Sequence, residues 1–143
     1  MSKPIRVLIA DSDVEFSQNL KVFLDKQEDA KVIRTVRDGQ GAVTECKEAL
    51  PDVVLIDLHL PVLDSIKTIK SVVSQNEHIK ILTVSAIPND RYAIEAIKAG
   101  AHGYIEKNGS ANYAEIVKAI RQVADGEVVL NSALASHILK EFS

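Results

Sequence analysis

Five short apolar runs, each followed by a stretch with helical spacing, set the strongest constraint on what this chain can fold into. The runs are Ile5–Ala10, 31–36, Val53–Asp57, 79–84 and Gly103–Glu106. The third is continuous over Val53, Val54, Leu55 and Ile56, as expected of a strand buried on both faces of a parallel sheet. The fifth is weak alone and is read as a strand from the alternation. Between the runs, Phe16, Leu20, Phe23 and Leu24 make one stripe over 13–27, and Tyr113, Ile116, Val117, Ile120 and Val123 another over 110–125. Ala42, Cys46, Ala49 and Leu50 mark a helix after the second run. Ile66, Ile69, Val72 and Val73 mark one after the third, and Ala93, Ala96 and Ile97 one after the fourth. Candidate N-caps are Ser12 (with Glu15 completing a capping box), Asp38, Asn89 and Ser110; Gly100 and Gly126 are placed to end helices. Strict βα alternation of this kind predicts an α/β sandwich with a parallel sheet.

Composition agrees with one globular unit. The chain has 143 residues, 46% hydrophobic and 26% charged, enough to bury a core without covalent staples. A net charge of −3 argues against a basic nucleic-acid footprint. The single Cys46 cannot form an intramolecular disulfide and is read as a small core hydrophobe. The first apolar run stops at Asp11, short of the roughly 7–15 apolar residues of a signal peptide, and no stretch approaches the roughly 18 of a spanning helix. The expectation is a cytoplasmic protein with no membrane contact.

In sheets of this class, ligands bind outside the carboxyl ends of the strands. There the sequence places Asp11, Ser12 and Asp13 after the first run, Asp57 ending the third, Ser85 at the fourth and Lys107 after the fifth. Two carboxylates, a hydroxyl and an ammonium on one edge suit phosphoryl transfer, which needs positioning and charge neutralisation. Magnesium takes one or two carboxylates plus phosphate and water. Asp11 and Asp57 each follow an apolar run, where a charge is costly unless paired or used. Thr83 shares the side of Ser85 but lies farther from the strand end.

The segment Val53-Val54-Leu55-Ile56-Asp57-Leu58-His59-Leu60-Pro61-Val62-Leu63-Asp64 resembles the phosphoacceptor segment of two-component response-regulator receiver domains. Leu82-Thr83-Val84-Ser85-Ala86 resembles that family's hydroxyl–alanine step, and Ala99-Gly100-Ala101-His102-Gly103-Tyr104-Ile105-Glu106-Lys107 its lysine segment. The resemblance covers about Ile5 to Asp125. It implies a flavodoxin-like three-layer sandwich with strand order 2-1-3-4-5 and helices on both faces. It also implies that Asp57 accepts a phosphoryl group from a histidine kinase or phosphotransfer protein, with Ser85 binding that group and Lys107 pairing with it. Asp11, Asp57 and the main-chain carbonyl of His59 would hold Mg2+. Tyr104 would be the aromatic switch, swinging inward as Ser85 moves onto the phosphate. Such a domain turns over no free metabolite and is not an enzyme in that sense. Homodimerisation through helices on one side of the sheet is a further implication.

Residues 1–126 would form the receiver and 127–143 a connector with an extra helix carrying Leu134, Ile138, Leu139 and Phe142. That connector resembles the one leading to a helix-turn-helix domain in LuxR/FixJ-type transcription regulators, so the expected output is transcription. The chain itself contains no DNA-reading element.

Three departures qualify the resemblance. Ser12 stands where the family carries a metal-binding acidic residue, which predicts weakened Mg2+ affinity; Asp13 lies one position along. Ser65 replaces the usual glycine after Asp64, so the turn must avoid a positive φ or tolerate strain. Asn108 replaces a common proline. The Ser12 change also supports an alternative, a pseudo-receiver that binds proteins without being phosphorylated. A second alternative comes from Val7-Leu8-Ile9-Ala10-Asp11-Ser12-Asp13-Val14, which resembles the first motif of haloacid-dehalogenase-type phosphatases. There Asp11 would be the nucleophile and Asp13 the acid/base, but no acidic pair follows Lys107. More ordinary roles are a helix cap for Ser12, a macrodipole partner for Asp13, a half-buried aromatic for Tyr104 and surface positions for His78, His102 and His137. His59, two residues past Asp57, is close enough to affect water access.

Overall fold

A computed structural model describes residues 3–107 and 113–141. The strands are β1 (Ile5–Ala10), β2 (Ala30–Val36), β3 (Val53–Asp57), β4 (Lys80–Ser85) and β5 (Gly103–Glu106). The helices are α1 (Val14–Asp25), α2 (Gly39–Ala49), α3 (Ser65–Gln75), α4 (Asp90–Ala99), α5 (Tyr113–Ala124) and α6 (Ser132–Glu141). All adjacent strands pair in parallel, in the order β2-β1-β3-β4-β5. No described helix is long and apolar enough to cross a membrane.

Alternation along the strands divides the core into two layers. Val7 and Ile9 of β1 join Val53, Leu55, Leu82 and Val84 beneath α1 and α5. Leu8 and Ala10 point the other way and join Val54, Ile56 and Ile81 beneath α2, α3 and α4. Every residue of β3 is buried, which is why its run shows no polar alternation. α6 enters the second layer through Leu134, with Ile138 packed at its margin. Leu139, expected on the same stripe, is 70% exposed, and Phe142 lies outside the described residues.

Caps follow the expected positions with one correction. Asp38 and Asn89 accept from Gly41 and Tyr92 at the starts of α2 and α4, and Gly100 ends α4 at φ 123°. Ser12, however, is exposed and caps nothing; Asp13 caps α1, accepting from the Phe16 amide at 3.1 Å. The physical reason is one bond upstream. The Asp13 amide donates to Asp11 Oδ1 at 2.9 Å, turning the chain so that Asp13 takes the extended cap conformation. Ser110 lies outside the described residues. The strain expected near Ser65 is displaced to Val62, at φ 72°, while Ser65 opens α3. His102 is not a surface histidine: it is partly buried and its Nδ1 accepts from the Ile81 amide at 3.0 Å.

The connector is tied to the sheet. Val129 forms a parallel bridge to Gly103, its carbonyl accepting from Tyr104 and its amide donating to His102, each at 3.0 Å.

Candidate functional site

The carboxyl ends of β1, β3 and β4 and the residue after β5 converge as the sequence predicts. Asp11 is 1% exposed and Asp57 6%. The Lys107 ammonium reaches between them, 2.7 Å from Asp11 Oδ2 and 3.6 Å from Asp57 Oδ2, with its side chain 9% exposed. Its register is set by the main chain, because the Lys107 amide donates to the Ser85 carbonyl at 2.8 Å. The ammonium also sits 4.3 Å from the centroid of the Phe16 ring.

Asp57 is held from two directions. The His59 amide donates to its Oδ1 at 3.0 Å, which leaves Oδ2 on the side of Lys107. Its main-chain carbonyl accepts from Ser65 Oγ at 2.7 Å, and the same hydroxyl accepts from the Leu60 amide at 3.2 Å. The residue that replaces a glycine therefore pins the loop that carries the carboxylate.

The electrostatics are those of two carboxylates sharing one buried cation. Burial raises the Asp11 carboxyl to about 6; the charge of Asp57 adds to the rise, while the bond to Lys107 opposes it. Among the described residues no group of three or more His, Cys, Asp or Glu side chains could hold a metal. The carboxylate donors at this edge are Asp11 and Asp57. Two carboxylates facing one ammonium leave a net negative charge, and that set suits a hard dication that keeps several waters. Ser12 is exposed and adds no carboxylate. Asp13 is exposed, and one of its oxygens caps α1.

Ser85 and Tyr104, expected to move together, occupy different settings. Ser85 Oγ donates to the Ile87 carbonyl at 2.7 Å, accepts from the Ile87 amide at 3.2 Å and lies 3.2 Å from His59 Nε2. It is thus engaged with its own loop. Tyr104 is already inward, 3% exposed and packed in the layer that contains Leu134. Burial raises its hydroxyl above the ordinary range more than Ser85 and the Asn89 main chain lower it. Thr83, buried, donates to the Gly103 carbonyl at 2.7 Å and is structural.

Sequence reasoning missed the Phe16 contact, the Ser65 clamp and the His59–Ser85 pairing. Phe16 lies on the α1 core stripe, and no sequence pattern marks a ring that also meets a cation.

Comparison with known proteins matches residues 7–133 to the response regulator receiver domain. The chain is 33% identical over 96% of its length to the transcriptional regulatory protein LnrK of Bacillus subtilis, and 35% identical over 94% to LiaR of the same organism. It covers 62% and 63% of those two proteins. Among solved structures, the receiver domain of the response regulator NarL from Mycobacterium tuberculosis superposes with a TM-score of 0.82 at 28% identity, covering 88% of this chain and 100% of that one. A LuxR-family response regulator from Aurantimonas shares the fold at a TM-score of 0.85 and 24% identity, covering 97% of this chain and 98% of that one.

Proposed function

The chain belongs to the response regulator receiver family, and on that premise we propose that Asp57 is its phosphoacceptor, charged by a histidine kinase or phosphotransfer protein. The observation that carries this reading is the Lys107 ammonium lodged between Asp11 and Asp57 at 2.7 and 3.6 Å. An Asp57 carboxylate oxygen attacks the phosphorus of a phosphohistidine or acyl phosphate, and the donor's P–N or P–O bond breaks with its electron pair leaving on the donor. The product is a mixed anhydride. Water attack on phosphorus later breaks that P–O bond, restoring the carboxylate and releasing phosphate.

The chain's own residues supply most of the stabilisation. Lys107 is close enough to shift from Asp11 toward a phosphoryl oxygen on Asp57, offsetting charge in a site that excludes most water. The His59 amide fixes the orientation of the carboxylate. Ser85 must release the Ile87 carbonyl before its hydroxyl can meet the phosphoryl group, so that loop bond opposes the switch. Tyr104 needs no swing from the position it holds here. Mg2+, held by Asp11, Asp57 and the His59 carbonyl, would neutralise phosphoryl oxygens, with affinity lowered by Ser12.

Residues 1–126 are read as the receiver and 127–143 as the connector, a division supported by the positive φ of 88° at Gly126, which ends α5. The chain spans about 62% of the length of the relatives named above, so the output, transcriptional regulation, is carried over from their names. Cytoplasmic location and dimerisation belong to the same reading, as does the absence of enzymatic turnover of a free metabolite. The haloacid-dehalogenase-type alternative is disfavoured by the family match.

The test is intact-mass measurement after incubation with Mg2+ and acetyl phosphate, with Asp57→Asn as control. A phosphate-sized gain lost in the variant supports the reading. No gain at high Mg2+ leaves the pseudo-receiver, and a gain that survives in Asp57→Asn moves the nucleophile to Asp11.

A further inference from the structure

We propose that Phe16 is a positioning residue for phosphoryl transfer, the face of its ring holding the Lys107 ammonium poised between the two carboxylates. The inference rests on the reading of Asp57 as phosphoacceptor and adds to it an α1 residue that touches no reacting atom.

Among the described residues, Lys107 Nζ lies 2.7 Å from Asp11 Oδ2, 3.6 Å from Asp57 Oδ2 and 4.3 Å from the Phe16 ring centroid. An ammonium is strongly hydrated, and a lysine side chain 9% exposed has given up most of that water. The carboxylates replace part of it. The ring replaces another part through the attraction between a cation and the negative face of an aromatic.

The ring differs from a third carboxylate or a carbonyl in one useful respect. Its attraction spreads over a face and does not require a particular N–H direction. The ammonium can therefore slide from Asp11 toward a phosphoryl oxygen on Asp57 while keeping its contact with Phe16. A directional partner would have to be broken for the same movement.

The ring is itself held in place. Its residue's amide is bonded by the Asp13 cap at 3.1 Å. The Tyr113 ring of α5 lies 6.0 Å from the Phe16 ring in a tilted contact, and is itself packed 5.8 Å from the ring of Phe23. Phe16 and Lys107 together line a groove of about 310 Å³ that Asp13, Ala86 and Tyr113 also border.

Phe16 also belongs to the core layer beneath α1 and α5, and a purely structural role would predict an effect on stability alone. Fluorinated phenylalanines at position 16 separate the two roles, since they keep the shape of the ring while draining its negative face. Each protein is checked for folding by thermal unfolding, and the rate of Asp57 phosphorylation from acetyl phosphate is read by intact mass. The rate should fall stepwise with fluorination, by about 3- to 30-fold across the series. Phe16→Leu should lose the rate and Phe16→Tyr retain it. A flat series in folded, phosphorylatable protein overturns the proposal.

A second arm needs no phosphorylation and so separates this inference from the Asp57 reading. The Lys107 ε-methylene protons should resonate upfield of those of the other lysines, shielded by the ring, and return to the ordinary position in Phe16→Leu. Ordinary shifts in the parent protein overturn the contact whether or not Asp57 accepts phosphate.

Discussion

Lys107 Nζ lies 2.7 Å from Asp11 Oδ2, an ion pair with almost no access to water. Such a pair would usually hold a carboxyl in its charged form. Here the balance goes the other way, and Asp11 is raised to about 6 because burial and the nearby Asp57 outweigh the single ammonium. The site stores negative charge that an incoming cation or a protonation event can relieve.

A pH dependence of stability follows from that imbalance. The Asp11 carboxyl has an ordinary value of 3.8 and a folded value of about 6, so between those limits the native state binds a proton that the unfolded chain does not. Stability contributed by this group is present below pH 4 and is lost as pH rises through about 6. Asp11→Asn removes the loss. It should be more stable than the parent at pH 7 by about 1–3 kcal/mol, the gap closing toward pH 4. Urea unfolding at pH 4, 5.5 and 7 checks this, and a gap that stays constant with pH would contradict it.

Ser12→Asp should tighten Mg2+ binding by about tenfold, since charge count sets the affinity of a hard-oxygen site. The test is clean because Asp13, not Ser12, caps α1, so the change leaves the helix start intact. Isothermal titration gives the affinity; an unchanged value would mean that position 12 does not face the metal.

Ser65→Ala leaves the Asp57 carbonyl and the Leu60 amide without their shared hydroxyl in a fully buried position. The cost should be about 2–4 kcal/mol. A denaturation midpoint close to that of the parent would show that the loop finds other partners.

Val62→Gly should stabilise the fold by about 0.5–1 kcal/mol. The left-handed φ of 72° costs a β-branched residue about 1–2 kcal/mol, partly offset by the greater unfolded freedom of glycine. Val62 is 82% exposed, so little packing is lost. A thermal midpoint lower than that of the parent would count against strain at this turn.

The layers of the fold were legible because hydrophobic periodicity is a direct record of which side of an element meets the core. The places of Asp11 and Asp57 were legible because a charge straight after a buried apolar run has few purposes, and that of Lys107 because of its register after Gly103-Tyr104. The α1 cap was not. Ser12–Glu15 fits the capping-box pattern, and Asp13 prevails because of a bond from its amide to the Asp11 side chain, a contact that depends on how β1 ends. Phe16 was assigned to the core and does pack there, but its ring also meets the Lys107 ammonium, and periodicity reports only the core contact. The setting of Ser85 was hidden for a similar reason: its partners, Ile87 and His59, come from two loops whose approach is a tertiary fact.

The bridge between Val129 and Gly103 gives the last helix a mechanical character. The two hydrogen bonds run from either side of Gly103 into a single connector residue, one of them through the amide of Tyr104. A pull on α6 is therefore carried in shear by the edge of the sheet and not absorbed by slack chain. Any load arriving along the connector reaches the strand that leads to Lys107 within a few covalent bonds, and stiffness, more than distance, sets how faithfully motion at one end is felt at the other.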